Sequence, residues 1–263
     1  MVLKITGKDN KTVKLCKALK KKSTRFEEGK FVAEGRKLAL EAFTYAEKGI
    51  YCVIATEDFA QKEPDVIEQA EKVCDKVFLV SDSVFDDISD TDTPQGILVV
   101  ANMSREEFEP DQSSRNIVVL DGVSEPGNMG TVIRTAEALG YDGIYLMKGC
   151  ADIYSSKTVR STMGAVFRMK FRTGCDSQDI VQLQNSGFSV IATTPSGEVA
   201  LETLKVPEKT AVIIGNEAHG VCDELLGLSQ VRVRISMDGL AESLNAAVAA
   251  GITMHWIKNC GSK

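Results

Sequence analysis

The chain has 263 residues, 43% hydrophobic and 26% charged, with a net charge of −6; that is enough for one large or two modest domains of ordinary globular composition. No apolar run approaches the roughly 20 residues of a membrane span, and the opening MVLKITGKDNKTVKL lacks a signal-peptide core. Seven scattered cysteines without a CxxC pair argue for reduced thiols in a cytosolic protein, and only two histidines, His219 and His255, exclude a multi-histidine metal centre.

In chain order, residues 1–37 carry 12 Lys and Arg against 4 Asp and Glu, while residues 38–114 carry 5 against 18. The basic segment reads equally as a phosphate-binding patch or as a solvated lysine-rich helix. Residues 11–22 (KTVKLCKALKKK) show helical spacing with lysines outward. Helices are also expected over 36–48, closed by Gly49, and from Pro64 to 72. Strands are expected at 51–55, 77–80 and 96–101, and SDSVFDDISD reads as a capped helix. Periodicity lapses over 103–115 (MSREEFEPDQSSR), which marks a linker and boundary. The expected organisation is a small α/β domain over 1–104, a linker over 105–114 and a second α/β domain over 115–263.

The second half alternates more strongly. Strands are expected at IVVLDG from Asn116, at 143–147, 188–194, 211–215 and 231–235, with a further short strand at 167–171. Helices are expected at 129–139, 155–163, 176–185 and 223–228, and a small-residue helix opens near Ser243, Leu244 and Asn245. Such alternation means a mostly parallel sheet covered on both faces, with ligands beyond the carboxyl ends of the strands.

Three polar clusters follow strands. In the first, EPGNMGTVIRTAEALG (125–140), Asn128 is a candidate N-cap and Arg134 stands near a helix start. An Arg beside a Gly-rich turn suits a phosphate or ribose, though an ordinary βα turn would look similar, and the dinucleotide GxGxxG spacing is missing. In the second, GNEAHGV (215–221), glycines bracket Asn216 and Glu217, an expensive place for a carboxylate in a plain loop; His219 receives no role. In the third, VRVRISMDGLAESLNAAVAAGI (231–252), Ser243 and Asn245 precede a helix of small residues. An ordinary strand–helix unit with a cap reads the same way. Together the clusters bring Asn128, Arg134, Glu217, Ser243 and Asn245 to strand ends, with no Ser-His-Asp set, Walker loop or metal-ligand spacing.

NMGTVIRTAEALG (128–140), GNEAHGV (215–221) and SLNAAVAAGI (243–252), in that order and spacing, resemble the three motifs of the SpoU (TrmH) family of RNA ribose 2′-O-methyltransferases, of the SPOUT class. RSTMGAVFR (160–168) is similar to the stretch between the first two motifs. FVAEGRKLALEA (31–42) resembles the RNA substrate-binding domain that precedes many such enzymes, related to ribosomal proteins that grip bent RNA. One departure is Ile235-Ser236-Met237, where the family has Ile-Pro-Met. The resemblance implies a C-terminal α/β domain with a trefoil knot, a homodimer, and S-adenosylmethionine held by main-chain groups at Gly215, Ile235 and Leu244 with Thr193 and Met237 nearby. It also points to Arg134 as the group that acts on the 2′-hydroxyl and leaves open whether Arg134 serves its own subunit or the partner. The expected reaction is in-line attack of a ribose 2′-oxygen on the sulfonium methyl, which carries its own activation and needs no metal. The expected setting is the cytoplasm and the expected partner is structured RNA, ribosomal before transfer RNA. The rivals are a non-catalytic RNA-binding protein on the same fold and a Rossmann enzyme using a dinucleotide.

Overall fold

The structure is a computed structural model and describes residues 2–46, 48–104 and 106–260. Residue 47 of the expected helix 36–48, residue 105 of the expected linker, residue 1 of the first expected domain and residues 261–263 of the second lie outside these. The chain packs as two compact units, one of Met1–Arg105 with Asp152–Arg168 and one of Glu106–Ala151 with Met169–Lys263.

The first unit begins with β1 (Val2–Ile5), α1 (Lys11–Ala18), α2 (Lys22–Glu28) and β2 (Lys30–Glu34). The lysine-rich stretch 11–22 is therefore not one helix. The main chain turns at Leu19 and Lys20, whose carbonyls accept 2.7 and 2.9 Å hydrogen bonds from the Arg25 guanidinium. Arg25 is buried and pairs with Asp152 at 2.5 Å. α3 (Arg36–Tyr45), β3 (Ile50–Thr56), α4 (Glu57–Lys62), α5 (Pro64–Val73), β4 (Val77–Val80), α6 (Asp82–Ile88) and β5 (Ile97–Asn102) follow. Pro64 starts α5, where its missing N–H costs nothing. The sheet order is β1-β4-β3-β5-β2, parallel over the first three strands and antiparallel where β5 meets β3 and β2. Val13, Cys16, Ile54, Phe85, Ile88 and Leu98 form its core.

Next come β6 (Asn116–Leu120), α7 (Pro126–Ala138) and β7 (Gly143–Met147). α8 (Ser156–Thr162) belongs to the first unit, where Phe31 lies against Tyr154 and Phe167 with ring centroids 4.8 and 5.7 Å apart. The chain continues with β8 (Phe171–Cys175), α9 (Ser177–Asn185), β9 (Ser189–Thr193), β10 (Val199–Ala200), β11 (Thr210–Ile214), α10 (Asp223–Leu228), β12 (Val231–Arg234) and α11 (Ala246–Cys260). The short strand expected at 167–171 is instead a 3-10 turn over Ala165–Phe167, with the strand starting at Phe171. Phe167 packs in the first unit and Phe171 pairs with Ile144, so one strand cannot hold both.

The second sheet has seven strands in the order β10-β12-β9-β11-β6-β7-β8, all parallel. Ile117, Val118, Val119 and Leu120 are fully buried, as expected of a central strand covered on both faces. Because the strands run the same way, the turns after β6, β9, β11 and β12 open at one end of the sheet. No helix of the described residues is long and apolar enough to cross a membrane.

Candidate active site at the strand ends

α7 starts one turn earlier than its sequence suggests. Its N-cap is Glu125 and Pro126 takes the first helical position, so Asn128 is not the cap but the third helical residue. That placement frees the Asn128 amide to face another loop. It donates from Nδ2 to Glu217 Oε1 at 2.9 Å and accepts at Oδ1 from Asn245 Nδ2 at 3.0 Å. Asn245 is itself the N-cap of α11, its Oδ1 accepting from the main-chain N–H groups of Ala247 and Val248 at 2.9 and 3.2 Å. One hydrogen-bonded chain thus joins the three polar clusters.

Glu217 is the acceptor at its end. Its carboxylate also takes the N–H of Ser124 and of Glu125, each at 3.2 Å, and the Ser124 hydroxyl at 3.3 Å. Partial burial pushes its carboxyl up, but the bonds from Asn128 and from the main chain outweigh this and hold it below the ordinary value. The loop that presents it is tightly closed. Asn216 and Gly220 exchange two 2.9 Å main-chain bonds, and Asn216 Nδ2 donates to the Gly122 carbonyl at 2.7 Å. A Cβ on Gly215 would overlap the Gly220 carbonyl and the Val221 nitrogen, so only glycine admits this approach.

The side chain of Arg134 is exposed on α7 and makes no hydrogen bond or ion pair among the described residues. Ser243 is likewise exposed and unbonded among them. The network brings together Asn128, Glu217 and Asn245, and does not include Arg134 or Ser243. Sequence reasoning passed over Ser124 and assigned no role to Asn216, which fixes the loop; a serine two residues before the Pro that opens α7 was the available signal for the first.

Of the expected cofactor residues, Thr193 ends β9, between β11 and β12 in the sheet. Register places Thr193 of β9 beside Val233 of β12, and Ala192 beside Ile213 of β11. Gly215 and Ile235 therefore follow the strands flanking Thr193, whose hydroxyl donates to the Ile213 carbonyl at 2.7 Å. Met237 and Leu244 lie in the irregular segment between β12 and α11. The main-chain groups of Gly215, Ile235, Met237 and Leu244 have no hydrogen-bond partner among the described residues. Free N–H and C=O groups at Gly215 and Ile235, just past two strands that flank β9, match a ligand held by backbone. Ser236 donates its hydroxyl to Glu202 at 3.0 Å, a bond that a proline at this position could not make.

The sequence matches the model of the SpoU rRNA Methylase family over residues 115–255 and that of the MRM3-like substrate binding domain over residues 10–99. It is 31% identical over 254 residues to the 23S rRNA (guanosine(2553)-2′-O)-methyltransferase RlmP of Bacillus subtilis strain 168, covering 97% of this chain and 98% of that protein. It is 28% identical to the 23S rRNA (adenosine(1067)-2′-O)-methyltransferase of Streptomyces laurentii over 73% of this chain and 72% of that one. Its fold superposes on the AdoMet-bound rRNA methyltransferase of Sinorhizobium meliloti with a TM-score of 0.85 and 30% identity, covering 98% of each chain.

Proposed function

The chain belongs to the SpoU rRNA methylase family, and from that premise we propose that it transfers the methyl group of S-adenosylmethionine to a ribose 2′-hydroxyl of ribosomal RNA. The observation that carries the reading is the Asn245–Asn128–Glu217 chain, which ties all three motifs together over the open end of the parallel sheet. Main-chain groups at Gly215, Ile235 and Leu244, with Thr193 and Met237 beside them, would hold the cofactor. When bound, the cofactor supplies an activated methyl group on its sulfonium. The protein must then align the 2′-oxygen and accommodate its proton.

Arg134 is the group that meets the RNA. A guanidinium with a pKa above about 12 is a poor base. Its role is to orient the 2′-oxygen and the adjoining phosphate and to stabilise negative charge as it develops, while the proton passes to a phosphate oxygen or water. Asn128, Glu217, Ser243 and Asn245 position Arg134 and the nucleotide.

Residues 1–104 serve as the RNA substrate-binding domain, 105–114 as the connection and 115–263 as the catalytic domain; residues 152–168 of the last pack with the first unit, and 106–114 pack with the second. The catalytic chain is knotted as a trefoil; insertion of β12 between β10 and β9 and the packing of α11 on α7 support this. The enzyme is a homodimer in the cytoplasm. Val248 and Ile252, one turn apart on α11 and 51% and 41% exposed, support an apolar contact between copies.

Transfer of tritiated methyl from S-adenosylmethionine to ribosomal and transfer RNA, tested separately, checks the reading. Label in ribosomal RNA is expected, and label confined to transfer RNA overturns the substrate. Arg134→Lys is expected to fold normally and to lose about 100-fold in turnover, the size of a lost oxyanion donor. Near-normal turnover in that variant would reject the role given to Arg134.

A further inference from the structure

The first unit holds a cavity of about 210 Å³ whose walls include Lys37, Leu38, Gln95, Arg160 and Met163. All of these residues belong to the first unit, and no step of the methyl transfer uses them. Its volume is below the roughly 300–1000 Å³ of drug-sized sites, so it can enclose part of a single nucleotide and not a helix.

Its lining is unusual in three respects. Met163 has φ 52°, making it the one non-glycine with a left-handed backbone among the described residues. It closes α8 where glycine or asparagine would ordinarily stand. A side chain held in that conformation points to a use for it, and a methionine thioether beside Leu38 offers a soft apolar wall for an aromatic ring. Lys37 is the second feature. It is exposed and has no ion pair or hydrogen bond among the described residues, whereas the neighbouring Arg36 pairs with Glu63 at 3.0 Å. Arg160 adds a second cation, held by Ser156 at 2.5 Å and 3.9 Å from Asp90. The third feature is a fixed polar edge. Gln95 Oε1 accepts the Arg36 N–H at 2.8 Å, which leaves its Nε2 as a donor. The buried Glu34 carboxylate is already engaged by Ser89, Thr91 and the Asp90 N–H at 2.5, 2.7 and 2.9 Å, so it is a rigid wall and not a partner for Lys37.

Cations, apolar side chains and an amide donor lining one small cavity match the parts of a nucleotide: phosphate, base face and base edge. An acidic peptide would engage the cations but leave the Met163–Leu38 wall and the Gln95 amide unused. We propose that this cavity takes a single unstacked nucleotide of the RNA substrate, its phosphate against Lys37 and Arg160 and its base against Met163 and Leu38. The inference rests on the RNA-modifying reading above and assigns part of the substrate recognition to the first unit.

The test uses the full chain and 23S rRNA transcribed in vitro with 4-thiouridine. Ultraviolet crosslinks are expected in the peptides that contain residues 34–38 or 160–163. Lys37→Gln is expected to lower the slope of log K against log salt by about 0.7, as for one single-strand phosphate contact. Met163→Gly relieves the left-handed backbone, and is expected to weaken RNA binding about fivefold, within the range of a sulfur–aromatic contact, with cofactor titration unchanged. Crosslinks confined to other peptides, with both variants binding within about twofold of the parent at an unchanged salt slope, overturn the proposal. Methyl transfer by the unsubstituted chain to the same RNA is read in parallel. Its absence overturns the methyltransferase reading, whereas transfer together with unaltered variant binding overturns the cavity alone.

Discussion

Exchanging Glu217 for glutamine tests whether the direction of the Asn245–Asn128–Glu217 chain governs the site. The direction is set from one end. Asn245 Oδ1 must accept the N–H groups that open α11, so its Nδ2 donates to Asn128 Oδ1. Asn128 then has only its Nδ2 left to offer, and position 217 must accept. A carboxylate is acceptor-only, while a glutamine places an NH₂ against Asn128 or against the N–H groups of Ser124 and Glu125. A lost bond to a charged group costs about 1.5–3 kcal/mol when buried, and solvent at the exposed Glu217 reduces this to about 1 kcal/mol. That is about fivefold in turnover if only the bond is lost, rising toward 100-fold if the start of α7 shifts by about 1 Å. Asn245→Asp makes the opposite error. It keeps the cap on α11 but turns an acceptor toward Asn128. In the double variant Glu217→Gln, Asn245→Asp the chain can run in reverse, with Asn128 donating to position 245 and accepting from position 217. Single-turnover methyl transfer and thermal unfolding of the four proteins are expected to show recovery in the double variant, with a coupling of about 1 kcal/mol. Acid mimics the glutamine. Because the folded Glu217 carboxyl lies below its ordinary value, its contribution is present above the unfolded pKa and is lost only as pH falls through the lowered one. Strictly additive single effects would refute the polarity argument.

Two further substitutions probe the framework. Arg25→Ala strips the partner from a buried carboxylate, since the Arg25 and Asp152 side chains are 6% and 8% exposed; an expected loss of about 3–5 kcal/mol should appear in denaturant unfolding, and a loss below about 1 kcal/mol would show the pair to be solvated. Gly215→Ala drives a Cβ into the main chain at Gly220 and Val221, where no side chain can yield; about 1–3 kcal/mol of stability and a weaker cofactor titration are expected, and unchanged values for both would show that the 215–221 loop tolerates a different path.

The parts of this fold legible in the sequence are those set by near neighbours. The runs at 116–120, 143–147 and 211–214 are apolar enough to read as central strands, and the order of strands and helices gives a parallel sheet without further information. What escaped the reading depends on distant residues. β1 is a four-residue edge strand with only Ile5 buried, too little pattern to recognise. The break between α1 and α2 is made by the Arg25 guanidinium, anchored to Asp152, so nothing within residues 11–22 records it. The apolar spacing of Phe167, Met169 and Phe171 mimics a strand because two different cores take the two phenylalanines.

The site divides the same way. Motif residues could be gathered at strand ends because a parallel sheet puts every such end on one side. Their partnerships could not, since Asn128 meets Glu217 and Asn245 across 89 and 117 residues. The reading of Asn128 as a cap shows why: asparagine near a helix start normally serves its own helix, but Pro126 had already opened α7 and left that amide to bridge two other loops. A single residue's preference therefore named the right side chain for the wrong partner. Only the hydrogen-bond direction imposed by the cap of α11, at the far end of the chain of amides, explains why the residue at 217 is a carboxylate and not its amide.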